Sequence, residues 1–423
     1  MKFLFVTFEA LSADLAWQLK KEGHEVKFYC HDQPEKDVGD GFVEKVDQWE
    51  PLKDWADVVV MDDIGFGSKA DQLRSEGKKV VGGSVYTDKL ELDREFGQEE
   101  LKAAGVNILP SWNFDDFDKA IALVKEKPDR YVIKPSGKAQ SEKELLFIGQ
   151  EEDGKDVVAV LEHYKANWSK KIREFQIQKF AEGVEVAVGA FFNGKDFVYP
   201  INTNFEHKRL FPSEIGPSTG EMGTSVYWTR TNPIFESTLL KTKEKLAASR
   251  YVGYIDINCI ANSKGIWPLE WTGRFGYPTI SIQMEGITSE WGPFLADIAA
   301  GKDAQLRTKK GYQVGVVVCI PPWPFEDEKA FRKYSEGATI LFRRQNRDGV
   351  HIGEVKQENG DWHIAGRSGY ALVVTGSGAT MPDAIREAYT SVKNVMIPNM
   401  FYRNDIGQRW SRDSDMLLSW GYL

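Results

Sequence analysis

Two short stretches decide the reading of this chain: Tyr254-Ile255-Asp256-Ile257-Asn258 and Leu269-Glu270-Trp271-Thr272-Gly273-Arg274-Phe275-Gly276. Apolar residues dominate both and polar ones fall at alternate positions, the pattern of strands with one lined face. The spacing predicts a hairpin of strands 254–260 and 266–271 that presents Asp256 and Glu270 on neighbouring strands. Paired carboxylates of that kind are hard oxygen ligands, suited to Mg²⁺ bridging nucleotide phosphates. Arg274 follows with a guanidinium, which grips phosphate or carboxylate through two parallel hydrogen bonds.

Upstream, Tyr131-Val132-Ile133-Lys134 sets a lysine at the end of a buried strand, where its ammonium can meet a phosphate. An isolated lysine in such a place is ordinarily a solvated strand end; the order of the neighbouring segments is what gives it weight. Ile177-Gln178-Lys179-Phe180-Ala181-Glu182-Gly183-Val184-Glu185 reads strand, turn, strand, with a backbone able to hold an adenine edge. Around Lys134, helices at 114–125 and 157–164 and strands at 130–134, 145–148 and 175–180 make a small α+β unit. Residues 204–224 are rich in Gly, Pro, Ser and Thr without periodicity and read as a long functional loop. A single amphipathic helix is expected over 235–249.

The chain opens with strand 2–8, helix 12–22 and strand 24–30, a βαβ unit that calls for a parallel sheet. Strands 58–61 and 79–81 continue it to a first boundary near residue 100. A mostly β region begins at Val314 and closes with a helix over 382–395, marked by Thr380 as cap and Pro382 in its first turn. The expected class is therefore α/β with α+β: domains at 1–100, 101–310 (with the small unit at about 120–182 as a lid) and 311–423.

Composition narrows the partners. Among 423 residues, 63 acidic side chains face 54 basic ones, for a net charge of −9, and no basic block offers a duplex its counterions. No run of about eighteen apolar residues exists to cross a membrane. Cys30, Cys259 and Cys319 lie far apart in apolar surroundings, as buried free thiols of a reducing compartment do. A cytoplasmic protein acting on small molecules, monomeric or dimeric, is the expectation. Gly216-Pro217-Ser218-Thr219-Gly220 matches the nucleophile-elbow pattern formally, but lacks a following helix and carries a proline before the serine. His24, His31, His163, His351 and His363 have no partners at ligand spacing.

In this order the segments resemble the ATP-grasp ligases and, within them, the glycinamide ribonucleotide synthetase (phosphoribosylamine–glycine ligase) family. Glu206-His207-Lys208-Arg209, Gly216-Pro217-Ser218-Thr219-Gly220-Glu221-Met222-Gly223, Glu270 with Gly273-Arg274-Phe275-Gly276-Tyr277-Pro278, Val314-Gly315-Val316-Val317-Val318 and Tyr402-Arg403-Asn404-Asp405-Ile406-Gly407 carry the likeness over nearly the whole chain.

The resemblance implies an ATP-grasp fold with an N-terminal parallel-sheet domain, a lid and a C-terminal mostly β domain. It implies an ATP-dependent carboxylate–amine ligase working through an acylphosphate, with ATP and Mg²⁺ (or Mn²⁺) as cofactors and a small carboxylate and an amine as substrates. It implies Arg274 and Lys134 as catalytic residues, and Lys134, Gln178, Lys179, Ala181 and Glu185 around the nucleotide, with Arg94 standing in for a family lysine and Lys138 and Lys143 of the altered loop available to hold phosphate. His207, Lys208, Gly216, Pro217, Ser218, Thr219 and Gly220 would border the acceptor, and Asp256 and Glu270 would hold the metal.

Several positions depart from the family. The turn after the first strand reads Phe8-Glu9-Ala10-Leu11-Ser12 where the family has glycines approaching the phosphoribosylamine phosphate. The loop from Pro135 to Lys143 has lost its glycine-rich character. Thr272 replaces an asparagine, Tyr277 and Thr279 replace acids, and Glu221 replaces a glycine. These changes favour an acceptor other than phosphoribosylamine; the alternative reading is an inactive nucleotide-binding or assembly protein of the same descent.

Overall fold

The computed structural model describes residues 1–136, 145–170, 172–325 and 327–423. Its frame is a thirteen-stranded sheet. At one side Lys2–Thr7, Glu25–Cys30, Val58–Met61 and Val80–Gly82 pair in parallel, the arrangement a βαβ opening dictates. Leu4, Val6, Val59 and Val80 pack beneath helix Gly67–Ser75, through Ala70 and Leu73.

The sheet then turns antiparallel. Gly82 pairs with Val252, and the long strands Val252–Asn262, Val184–Asn193, Phe197–Glu206 and Gly223–Thr229 follow in that spatial order. It runs on without a gap into Tyr312–Cys319, Tyr370–Gly378 and Val350–Ile352. Helix Met381–Val392 covers that end; Thr380 caps it by accepting from the amide of Asp383. A separate four-stranded sheet, Val355–Glu358, Asp361–Ile364, Thr339–Phe342 and Val395–Met396, completes the C-terminal region.

The small unit is a second layer with its own core. Strands Ser111–Phe114, Phe175–Lys179, Tyr131–Pro135 and Phe147–Ile148 form its sheet. Helices Phe117–Glu126 and Lys155–Trp168 bury Phe117, Ile121, Val157 and Leu161 against Tyr131, Ile133 and Ile177.

Two sequence expectations fail in detail. Residues 204–224 are not one loop: Phe197–Glu206 extends into them, Arg209–Phe211 and Ile215–Ser218 pair as a hairpin, and Gly223 opens the next strand. Gly and Pro here mark tight turns between extended pieces, and Pro217 is tolerated because its two-stranded ribbon is all edge. The helix expected over 235–249 is broken into Pro233–Ser237, a 3₁₀ turn at Leu239–Thr242 and Lys243–Ala248. At the break, Thr238 adopts φ −124°, ψ −91°, and its hydroxyl donates back to the carbonyl of Ile234 at 2.5 Å. Among the described residues no helix is long and apolar enough to cross a membrane.

Candidate functional site

Strands Val252–Asn262 and Gly265–Thr272 form the hairpin read from the sequence. The register sets Asp256 opposite Thr272 and Asn258 opposite Glu270, so all four project from one face. Gly189, across the sheet from Asp256, is required by close approach: a Cβ there would lie 2.0 Å from the Tyr254 hydroxyl.

On the same face, Phe197–Glu206 ends in Glu206, whose carboxylate accepts from the Asn258 amide at 2.9 Å. Lys208 stands just beyond the strand end. Its ammonium lies 2.7 Å from Glu270, 3.0 Å from Glu185 and 3.4 Å from Glu206. Three carboxylates from three strands thus share one cation. Lys208 holds Glu270 far below the ordinary carboxylate range, against the opposing push of burial. Burial and then the charge of Glu206 lift Asp256 to about 8. Glu221 is raised as well, by burial first and Glu206 next.

Lys134 closes strand Tyr131–Pro135 at 8 % exposure. Burial, followed by the like charge of Arg94, lowers its ammonium to about 7. Among the described residues no carboxylate stands within ion-pair distance of it or of Arg94. Arg94 occupies the first turn of helix Arg94–Ala103, set there by Asp93 capping the Phe96 amide. Arg274 is held differently: its Nε lies 3.3 Å from Glu91, which also accepts from the Gly273 amide at 2.7 Å.

These groups line one cavity of about 1020 Å³ between the large sheet and the small unit. Its far end is apolar, walled by Leu109, Val132, Ile148, Val184, Ile260 and Leu269. Gln178, Lys179, Phe180 and Ala181 form its rim. The Lys179 side chain turns to Asp129 and its amide donates to Pro110. An apolar slot leading to cations unpaired among the described residues, and then to carboxylates, has the charge sequence of a nucleotide site.

Of the residues singled out in the sequence, Arg94, Lys134, Gln178, Lys179, Ala181, Glu185, Lys208, Ser218, Thr219, Gly220, Asp256, Glu270 and Arg274 line this cavity. Gly216 and Pro217 lie outside the lining, on the hairpin behind it. Lys138 and Lys143 lie outside the described residues. His207 does not reach the cavity. It is buried at 2 % exposure, accepts from the Gly407 amide through Nε2 at 3.2 Å, and meets Glu214 through Nδ1 at 2.8 Å. That network assigns the proton to Nδ1. Against burial, which pushes Glu214 up, hydrogen bonds from His207 and Arg403 bring it down to about 2.

Glu206, Asn258 and Glu91 were missed as site residues. Glu206 had a signal: Asn202, Asn204 and Glu206 fall at period two on one strand face. The metal question turns on the same face. The carboxylates of Asp256 and Glu270, the Thr272 hydroxyl and the Asn258 carbonyl oxygen are all hard donors. The last is buried with no hydrogen-bond partner among the described residues. Such a set fits a hard divalent cation that takes its remaining ligands from phosphate and water.

Residues 92–280 match the phosphoribosylglycinamide synthetase ATP-grasp (A) domain, and 313–409 match the C domain of the same synthetase. Phosphoribosylamine–glycine ligases of Listeria innocua and Streptococcus pyogenes are similar to the chain at 26 % identity over 356 residues and 27 % over 377. They cover 80 % and 85 % of each partner in turn. The crystal structure of the phosphoribosylamine–glycine ligase of Thermotoga maritima superposes with a TM-score of 0.71 at 21 % identity, covering 96 % of this chain and 100 % of the other. An N5-carboxyaminoimidazole ribonucleotide synthetase of that organism shares the fold at a TM-score of 0.58 and 16 % identity, covering 94 % of this chain and 98 % of the other.

Fold and cavity together are those of an ATP-grasp ligase. With both domains matched in order over most of its length, the chain belongs to the phosphoribosylglycinamide synthetase family.

Proposed function

We propose that the protein uses ATP to activate a small carboxylate as an acylphosphate and joins it to an amine, as the names of its phosphoribosylamine–glycine ligase relatives imply. The observation that carries this reading is Lys134: a buried cation, unpaired among the described residues, facing a cavity of nucleotide size.

The adenine enters the apolar end against Val132, Ile148 and Leu269, with the 178–181 backbone at its edge. Lys134 and Arg94 take the β- and γ-phosphates; their positive charge favours departure of ADP. The substrate carboxylate attacks the γ-phosphorus, breaking its bond to the β–γ bridging oxygen. The amine nitrogen, in its neutral form, then attacks the acyl carbon; the carbon–oxygen bond to phosphate breaks, and phosphate leaves with the proton that nitrogen sheds. Arg274, fixed by Glu91, steadies the charge on the transferred phosphoryl group. Asp256 and Glu270, with Asn258 and Thr272 beside them, would hold Mg²⁺, which withdraws charge from the phosphates when bound. The small unit, closing over the large sheet, keeps water from the acylphosphate.

The convergence of Arg94, Lys134, Glu270 and Arg274 on one cavity supports an active ligase over an inactive descendant. ADP release from Mg·ATP with glycine and a panel of primary amines tests the proposal. Amine-dependent ADP release is expected, and its complete absence across the panel, despite nucleotide binding, would overturn it.

A further inference from the structure

Glu221 lies in the turn between strands Ile215–Ser218 and Gly223–Thr229, and that turn is firmly held. Thr219 donates to the Lys208 carbonyl through its amide and its hydroxyl, at 2.8 and 2.9 Å. The Met222 amide donates to His207 at 2.8 Å, and the Val317 amide to Met222 at 3.1 Å. The Glu221 side chain lines the cavity at 7 % exposure, and its Oε1 has no hydrogen-bond partner among the described residues. A buried carboxylate oxygen without a donor is costly, and among the described residues none is supplied. Lys208 is shared by Glu185, Glu206 and Glu270, and Arg274 is taken by Glu91. Of the charges that act on it, Glu206 and Asp256 repel it and Lys208 attracts it, but Lys208 lies within ion-pair distance of the other three carboxylates and gives Glu221 Oε1 no hydrogen bond. What answers such a group is a donor-rich cation that arrives with a substrate.

The neighbouring recess excludes a phosphate. There the turn after the first strand, Glu9 to Leu11, closes on Tyr277, Gly353, Glu354 and Tyr370, leaving about 10 Å³. That is room for one water at most. Arg367, the cation on that side, already lies 3.2 Å from Glu35 and 3.8 Å from both Glu9 and Asp32. The Tyr277 hydroxyl faces Asp62 at 3.1 Å. A dianion brought here would meet carboxylates and a cation that is already neutralised.

We propose that Glu221 receives the ammonium group of an amine substrate that carries no phosphate, and so determines what this ligase joins. The inference rests on the ligase reading above and deepens it by naming a substrate class.

The test is calorimetric titration of the full chain, loaded with Mg²⁺ and an ATP analogue whose γ-phosphate cannot be transferred. Ethanolamine, O-phosphoethanolamine and glycine are the probes; Glu221→Gln and Glu221→Gly are the variants. A thermal shift from the nucleotide analogue in both variants establishes that they fold and bind nucleotide. Ethanolamine is expected to bind the unaltered protein at least tenfold more tightly than either variant, and at least tenfold more tightly than O-phosphoethanolamine. A tenfold loss for glycine in its place would support the proposal and assign the ammonium to the amino acid. Equal binding of both amines to all three proteins would overturn it, as would O-phosphoethanolamine binding the unaltered protein as well as ethanolamine. Absence of the nucleotide shift in the unaltered protein would instead bring down the ligase reading.

Discussion

Lys208 Nζ lies 2.7 Å from Glu270 Oε1, joining the end of one strand to the middle of another across 62 residues of sequence. The carboxylate proposed to hold a metal is therefore already committed to a cation, and the same lysine also restrains Glu185 and Glu206. Removing it leaves three like charges in one corner. Lys208→Met is expected to lower stability by about 2 kcal/mol, the worth of a charged hydrogen bond, and to weaken nucleotide binding. Chemical denaturation with and without Mg·ATP reads both effects.

Glu270→Ala is expected to reduce ADP release at least a hundredfold, the scale of a lost contact to the reacting centre. Its side chain faces the cavity and packs against little, so the far-UV spectrum should stay near that of the unaltered protein, while the melting temperature falls modestly with the loss of the hydrogen bond to Lys208. Full turnover in this variant would remove Glu270 from the metal site.

Lys134 makes nucleotide binding pH-dependent. In the folded protein it loses its proton near pH 7, whereas the unfolded chain keeps it to about 10.4. Unfolding therefore takes up a proton between those values, and this residue's contribution to stability rises with pH across that window. Phosphates favour the charged form, so binding at pH 8 draws a proton from the buffer. Binding enthalpies measured in Tris and in HEPES should differ by an amount approaching one proton per nucleotide. Lys134→Met should abolish the difference.

Arg403 and His207 give the opposite result. Arg403 is 1 % exposed, paired with Glu214 and Asp405 at 2.8 Å each, and donates to the Arg209 carbonyl at 2.8 Å. Arg403→Ala strands buried partners and is expected to cost about 3 kcal/mol, read as a lower denaturation midpoint. His207→Ala should act in the same direction. In the fraction that stays folded, KM for ATP should be unchanged, because neither side chain lines the cavity.

How far the sequence carried the site follows from which interactions are local. The hairpin holding Asp256 and Glu270 was readable because alternation is a property of neighbouring residues. So was Lys134, at the end of an apolar run. The Lys208 hub was not, since it exists only because strands ending near Glu185, Glu206 and Glu270 become neighbours in space. The same holds for Glu91 and Arg274, 183 residues apart by their own numbers. His207 was expected beside the acceptor because the segment it shares with Lys208 resembles the family's acceptor border. Successive side chains alternate sides of extended backbone, so Lys208 faces the cavity while His207 faces the C-terminal segment. The broken helix after Asn232 escaped notice because apolar periodicity persists through Thr238, whose hydroxyl competes for the backbone.

The unbroken run of the large sheet, from Lys2–Thr7 through Tyr312–Cys319 to Val350–Ile352, has a mechanical corollary. Three stretches of chain share one floor: five residue pairs join Gly223–Thr229 to Tyr312–Cys319, so a cut near residue 310 would lay bare a raw row of amide groups, whereas the seam near residue 100 is the single Gly82–Val252 pair. The four-stranded unit across the cavity has a core of its own, so under the proposed ligase reading the traffic of reactants in and products out is expected to fall to that leaf.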